Sequence, residues 1–231
     1  ARIELGELLI DSEQSFKIGA QLQGSIHDFK FKIQPYFNYV DNFIILEPSG
    51  TDTTIRGAFP VWQYRQSDSR LFGIDASLSY TYQNLDLVSN LAYVNGEDLE
   101  RDEALINMPP FNISNTLTYK KQEWSGFFLS LKSQLITEQT RFPDNNFDVR
   151  IINRITGEFE DQELDISSPP DAYHLLNLKS GMEFEIGNKH LSINLLVNNL
   201  LNTSYRSYLN ALRFYADEVG TNAMLQLKLN Y

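Results

Sequence analysis

Runs of strict period-two alternation, joined by connections that go short, long, short, long along the whole chain, constrain the fold of this sequence more than any other feature. Residues 15–23 place Phe16, Ile18, Ala20 and Leu22 on one face and Lys17, Gly19, Gln21 and Gln23 on the other, and 24–28 turn the chain. In the next run Phe29, Phe31, Ile33, Pro35, Phe37 and Tyr39 share a face, and residues 46–70 then lose alternation and read as a long loop. The cycle repeats: Phe72 to Tyr82, a tight turn at Gln83-Asn84, Leu85 to Tyr93 broken on its apolar face by Ser89, and an acidic loop over 95–110. Then come Ile113 to Tyr119, a turn at 120–123, Phe127 to Leu135 and the longest loop, 140–170. Leu176 to Ile186, a turn at 187–190, Leu191 to Val197, a loop over 202–219 and a closing strand bearing Ala223, Leu225, Leu227, Leu229 and Tyr231 complete the chain.

About nine strands in this order predict one antiparallel meander, with every short turn at one end and every long loop at the other. Soluble sandwiches mix the two kinds of connection. Transmembrane up-and-down barrels segregate them, with short periplasmic turns and long extracellular loops. Because such strands present apolar side chains only at every second position, the absence of any run of eighteen apolar residues fits this reading, and no membrane helix or signal peptide is expected. Leu225, Leu227 and Leu229 are predicted to face lipid and Gln226 and Lys228 the lumen. Pro35 lacks a ladder donor, so it needs an unpaired site or a bulge.

Composition narrows the function. The net charge of −11 excludes a nucleic-acid partner, which would require clustered Lys and Arg. With no Cys, disulfide and thiolate chemistry are absent. The 15 Phe and 12 Tyr suit two interfacial girdles. Phe29, Tyr80, Tyr82, Tyr119, Trp124 and Tyr231 fall near the short turns, and Tyr39, Phe43, Phe72, Tyr93 and Phe111 near the long loops.

His27, His174 and His190 have no ligand spacing, and no nucleophile motif is present, so neither a metal site, a cofactor nor catalysis is expected. Asp144-Asn145-Asn146-Phe147-Asp148 resembles the first half of a calcium loop but has Val149 where Gly is needed, and reads as a solvated loop. Binding groups concentrate in the long loops: Arg56, Trp62, Tyr64, Arg65 and Arg70 in the first, Arg141, Arg150 and Arg154 in the third, and Tyr205, Arg206, Tyr208, Arg213 and Tyr215 in the fourth. Guanidinium forks match carboxylates and phosphates, and aromatic faces match rings. These residues read as ligand contacts at an extracellular mouth, against the alternative that they close loops or face lipopolysaccharide.

Asn198-Asn199-Leu200-Leu201-Asn202, Tyr205, Tyr208-Leu209-Asn210, Arg213 and Gly220-Thr221-Asn222 before a last strand ending on an aromatic residue resemble the C-terminus of TonB-dependent outer-membrane receptors. Gly73-Ile74-Asp75, Met108-Pro109-Pro110-Phe111 with Leu117 and Tyr119, and residues 12–15 add shorter matches in the family's order. In that family Thr221 is usually Arg and the last residue usually Phe. The resemblance implies an all-β chain forming the C-terminal portion of a barrel of roughly 22 strands, with the plug domain and N-terminal strands outside residues 1–231. It implies TonB-dependent uptake of a ferric siderophore or related metal chelate, a Gram-negative outer-membrane location, and as partners the TonB complex, through the missing N-terminal part, and outer-membrane lipid and lipopolysaccharide. Two alternatives stay open: a small self-contained barrel with a structural or adhesive role, and a soluble β-rich domain.

Overall fold

The computed structural model describes every residue except Ala1, Arg56, Asn153, Arg154 and Tyr231, and leaves out the side chains of Thr53, Thr54, Ala58, Arg150 and Ile151. The described residues contain fourteen strands: β1 Ile3–Leu5, β2 Gln14–Gly19, β3 Leu22–Ile26, β4 Phe29–Thr54, β5 Gly57–Tyr82, β6 Leu85–Asp98, β7 Glu103–Ala104, β8 Asn112–Lys121, β9 Phe127–Ile136, β10 Phe147–Ile152, β11 Phe159–Leu164, β12 Tyr173–Ile186, β13 Lys189–Asn198 and β14 Asn222–Asn230. Twelve form one open sheet whose main path runs β14, β13, β12, β9, β8, β6, β5, β4, β2, and β10 pairs with β11 as a separate hairpin.

Alternation builds that sheet because opposite residues of an antiparallel pair project to the same side. One row runs Leu178, Leu131, Leu117, Leu87, Tyr80 and Phe29 across six strands. At its end the Phe29 and Tyr80 rings stack with centroids 4.3 Å apart. On β14, Leu225, Leu227 and Leu229 oppose Leu195, Ile193 and Leu191, while Gln226 and Lys228 oppose Asn194 and Ser192. A polar step interrupts the apolar face where Ser89, Asn115 and Ser133 align on β6, β8 and β9. There Ser89 Oγ donates to Asn115 Oδ1 at 2.7 Å, and Ser133 Oγ lies 2.7 Å from His174 Nε2.

The first predicted strand is split into β2 and β3, and Pro35 is the reason. Gly19 opposes Tyr36 and Leu22 opposes Ile33 in one unbroken register, so the gap at Ala20-Gln21 falls opposite Pro35, which has no N–H to offer. Ala20 N still donates to Pro35 O at 3.0 Å.

Three expectations are corrected. Residues 46–70 are not a loop but the outer half of the β4–β5 hairpin, paired to the Thr54–Gly57 rung, with one register shift between Val40 and Phe43 and a second between Pro48 and Gly50 that adjoins the proline. Within 140–170, β10 and β11 pair from Phe147–Leu164 to Ile152–Phe159. The meander is not wholly antiparallel: β1 lies parallel to β5, Ile3 opposite Val61 and Leu5 opposite Gln63, along the edge that β6 leaves beyond Asp98. The chain reaches β2 from there across the hairpin, where Asp11 N donates to Gln66 Oε1 at 2.8 Å and Ile44 N to Glu13 Oε1 at 2.7 Å.

Apart from the β4–β5 hairpin, which closes on a two-residue connection at its far tip, short turns and long connections sort to opposite ends. Ile26–Phe29, Tyr82–Leu85 and Ile186–Lys189 each close a two-residue turn, and Gly187 takes a φ of 61° in the last. Buried side chains such as Val40, Ile45, Leu105 and Tyr208 gather in the long-connection half.

Candidate functional site

Segments from the long-connection end enclose a cavity of about 570 Å³, within the usual range for small-molecule sites. Trp62 comes from β5, Asn107 from the stretch before β8, Asn145 from the stretch before β10, Asp165 to Ser167 from the exit of β11, and Tyr208 to Tyr215 from the β13–β14 connection. Of the predicted residues, Trp62, Tyr208, Arg213 and Tyr215 are brought together here.

The wall of this cavity is organised by Arg213. Its guanidinium lies 4.2 Å from the Tyr208 ring centroid and 4.7 Å from that of Phe214, a planar cation between aromatic faces. Nη1 donates to the Tyr208 carbonyl and Nη2 to the Ile166 carbonyl at 3.2 Å, so this one side chain ties the β13–β14 connection to the exit of β11. Burial pushes the Arg213 pKa down and that of the Tyr208 hydroxyl up, the effect on each being opposed by the other group. With two donors spent on carbonyls, Arg213 is a strut that presents aromatic faces rather than an open anion clamp. Its loop is shaped by Asn210, whose Oδ1 accepts from Leu212 N at 2.9 Å, and by Arg213 N donating to Asn210 O at 3.0 Å.

The opposite wall is fixed at the base of the β10–β11 hairpin. Asn146 Oδ1 accepts from Ile166 N at 3.0 Å and from Ser167 N at 3.1 Å, and Asn145 N donates to Ser167 Oγ at 2.6 Å. The calcium-like stretch therefore spends Asn146 on closing a hairpin. Asp165 is held below the usual carboxylate range, chiefly by the Ser168 amide, with Arg213 contributing.

The other predicted groups lie elsewhere. Arg65 Nη2 donates to Asp98 Oδ2 at 2.5 Å, and its Nε lies 2.8 Å from Glu47 Oε1. Arg70 and Arg141 both bind Glu97, and Tyr64 Oη donates to Glu4 at 3.4 Å. Tyr205 packs on Tyr173 with centroids 4.4 Å apart beside the Arg206–Asp217 ion pair at 2.7 Å, in a shallower depression floored by Pro169 and Pro170. Arg56 and Arg154 lie outside the described residues, as does the side chain of Arg150, whose backbone opposes Asp161 in β10. Sequence reasoning missed the apolar lining, including Pro60, Ile106, Leu164 and Leu212, because isolated apolar residues in aperiodic loops carry no pattern.

Asp98, at the end of β6, is 2% exposed. Burial opposes its ionisation, but the Ser67 hydroxyl, the Arg65 guanidinium and the Arg101 amide outweigh this and hold the carboxyl below its ordinary value. A folded pKa below the unfolded one gives stability that is complete above about pH 4 and lost as pH falls through the folded value. Amides of residues 65–69 and 97–101 are therefore expected to stay protected from exchange down to about pH 4, and Asp98→Asn to lose that protection at neutral pH. Loss in the unsubstituted protein by roughly pH 6 would contradict this.

A sequence profile of the TonB-dependent receptor-like β-barrel matches residues 14–200. The chain belongs to the TonB-dependent receptors. A search of curated proteins finds no match. Among solved structures, this receptor chain is similar to the copper transporter OprC, with a TM-score of 0.71 and 17% identity over 96% of this chain and 31% of that one. It also resembles the FrpB iron transporter from Neisseria meningitidis (F5-1 variant, apoprotein form; TM-score 0.65, 12% identity, 99% of this chain and 33% of that one). A third is the siderophore receptor PirA from Acinetobacter baumannii (TM-score 0.61, 14% identity, 94% and 31%). These likenesses show the fold, and this receptor chain spans about one third of the length of the structures it matches. Asn199 and Asn202, the family-like asparagines, close the loop base: both have positive φ, Thr221 Oγ1 donates to Asn199 O at 2.7 Å, and Thr221 N donates to Asn202 Oδ1 at 3.0 Å.

Proposed function

We propose that this chain is the C-terminal part of the barrel of a Gram-negative outer-membrane receptor that takes up a ferric siderophore or related metal chelate by TonB-driven transport. The observation that carries the proposal is the cavity at the long-connection end, where Trp62 of β5 meets Tyr208 and Phe214 of the β13–β14 connection. Its aromatic and aliphatic walls suit a chelate that turns rings or an organic shell outward. The apolar face of the sheet meets lipid, the polar face lines the lumen, and the plug and the TonB-contacting segment belong to the rest of the polypeptide.

Binding of a panel of ferric chelates to the complete receptor tests the reading. Trp62→Ala and Tyr208→Ala are each expected to weaken capture of the transported chelate at least tenfold, about 1.4 kcal/mol. Unchanged affinity in both variants would remove the cavity from the uptake route. Residues 1–231 alone are expected neither to insert stably nor to take up ligand, because the edges at β2 and β14 expose unpaired backbone groups, each costing several kcal/mol in hydrocarbon. A monodisperse, heat-resistant monomer in vesicles with protected amides on both strands would instead support a small self-contained barrel.

A further inference from the structure

We infer that the receptor pairs with a second copy of itself through the apolar face of the sheet, with Asn115 on the two-fold axis, an inference that rests on the outer-membrane reading above. It starts from a row of polar side chains where hydrocarbon is expected. Ser89 on β6 opposes Asn115 on β8, which opposes Ser133 on β9. Aliphatic rows bound them on both sides: Leu87, Leu117 and Leu131 on one, Leu91, Ile113 and Leu135 on the other. Asn115 stands four residues from Phe111 and four from Tyr119, about 13 Å along the strand each way and about 9 Å in height at a 45° tilt. It therefore lies near mid-depth of an apolar band about 25 Å tall.

Hydrogen bonds within the row leave one group unsatisfied. Ser89 Oγ donates to Asn115 Oδ1 at 2.7 Å, and Ser133 Oγ lies 2.7 Å from His174 Nε2, so both hydroxyls are engaged. Among the described residues nothing accepts from Asn115 Nδ2, and the residue is exposed. An amide donor without an acceptor in hydrocarbon costs several kcal/mol. Acyl chains offer no acceptor, and the ester and phosphate oxygens of lipid lie at the interface, beyond the reach of a side chain at mid-depth. Only another protein surface supplies one there.

Self-complementarity selects a second copy. A side-chain amide carries donors and an acceptor, and Asn115 Oδ1 keeps a lone pair beyond the one that takes the Ser89 hydroxyl. Two such amides facing each other close a reciprocal pair of N–H···O bonds. Rungs of tilted strands are tilted too, so the polar rows of two copies related by a two-fold axis along the membrane normal cross at a single position. On that axis each residue faces itself, and Asn115 is the member of the row that can bond to its own kind. Leu87, Leu117, Leu131 and Leu135 are exposed around it and supply the packing. Polar side chains join membrane-spanning segments at a modest energy per bond, so the pairing is reversible.

The test places the complete receptor in phosphatidylcholine vesicles, with donor and acceptor dyes on separate molecules, and follows energy transfer as lipid dilutes the protein. Flotation of the vesicles scores insertion first. Transfer in the unsubstituted receptor is expected to fall with dilution along a monomer–dimer curve. Asn115→Leu, which keeps the volume and removes the amide, should weaken pairing about tenfold without impairing insertion, and Asn115→Gln should recover part of it. An asparagine that only braced Ser89 would alter unfolding and leave the dilution curve unchanged. Asn115→Cys gives a geometric readout: oxidation should link two copies there, and should not link Leu195→Cys, which lies on β13 outside the patch. Absence of transfer at every dilution, undiminished pairing in Asn115→Leu, or a cross-link at position 195 and none at 115 overturns the inference. A receptor that is monomeric when purified but holds a different protein on this face in native membranes overturns the second copy as occupant. Insertion without pairing sinks this inference alone, whereas failure to insert sinks it together with the outer-membrane reading.

Discussion

Leu227→Arg is expected to cost about 2–4 kcal/mol of folding stability in a bilayer, and Gln226→Arg next to it far less. The two positions differ only in parity. Leu227 opposes Ile193, which opposes Met182, whereas Gln226 opposes Asn194, which opposes Gly181. One arginine would therefore enter an apolar row and the other a polar one. Urea unfolding of the complete receptor in vesicles measures both, and equal tolerance at the two sites would sink the assignment of faces.

Gly73 and Gly181 should be the least replaceable glycines of the sheet. A Cβ at Gly73 would sit 2.4 Å from the Tyr36 ring carbon Cζ and 2.6 Å from the Tyr93 carbonyl oxygen, while one at Gly181 would meet Asn194 Oδ1 at 2.5 Å and Phe128 Cε1 at 2.6 Å. Each glycine lets an aromatic ring from the neighbouring strand lie flat across it on the polar face. Gly73→Ala is expected to cost about 1–3 kcal/mol, the scale of overpacking, and Gly181→Ala less. The reason is that both obstacles at Gly181 are side chains that can turn away, whereas a backbone carbonyl held in a ladder cannot. Phe128→Leu should largely rescue Gly181→Ala, and Tyr36→Leu should rescue Gly73→Ala only in part. Full rescue at both sites would show that the rings alone set the penalty.

What the sequence revealed and what it hid divide along the length of the strands. Between Phe29 and Tyr39, or Phe72 and Tyr82, one face of the sheet is apolar and the other polar, so the contrast writes itself into every second residue and the register is readable. Beyond Val40 no such asymmetry acts. Thr51 to Thr54 pair with Gly57 to Pro60 without any apolar alternation, and Pro48 and Gly50 look like turn formers although a bulge carries them within the ladder. The parallel contact of β1 links Ile3 with Val61 and leaves no local trace. Of the arginines and aromatics selected from the long loops, Trp62, Tyr208, Arg213 and Tyr215 line the cavity. Arg65, Arg70, Arg141 and Arg206 pair with carboxylates outside it, and nothing local tells an arginine which carboxylate it will meet: Asp98 is distant in sequence from Arg65, and Glu97 from both arginines that bind it.

The β4–β5 hairpin has a mechanical consequence. Strands of 26 residues are more than twice what a tilted membrane crossing requires, and their rungs continue to the tip. Trp62 is therefore carried on a stiff post continuous with the wall, its lean set by the two bulges. The β13–β14 connection facing it has no ladder of its own and is held by single side chains such as Arg213 and Asn210. Under the uptake reading proposed above, a captured chelate would therefore meet one wall fixed by the ladder and one held only by side-chain contacts, and any adjustment on binding would fall to the Tyr208–Tyr215 side.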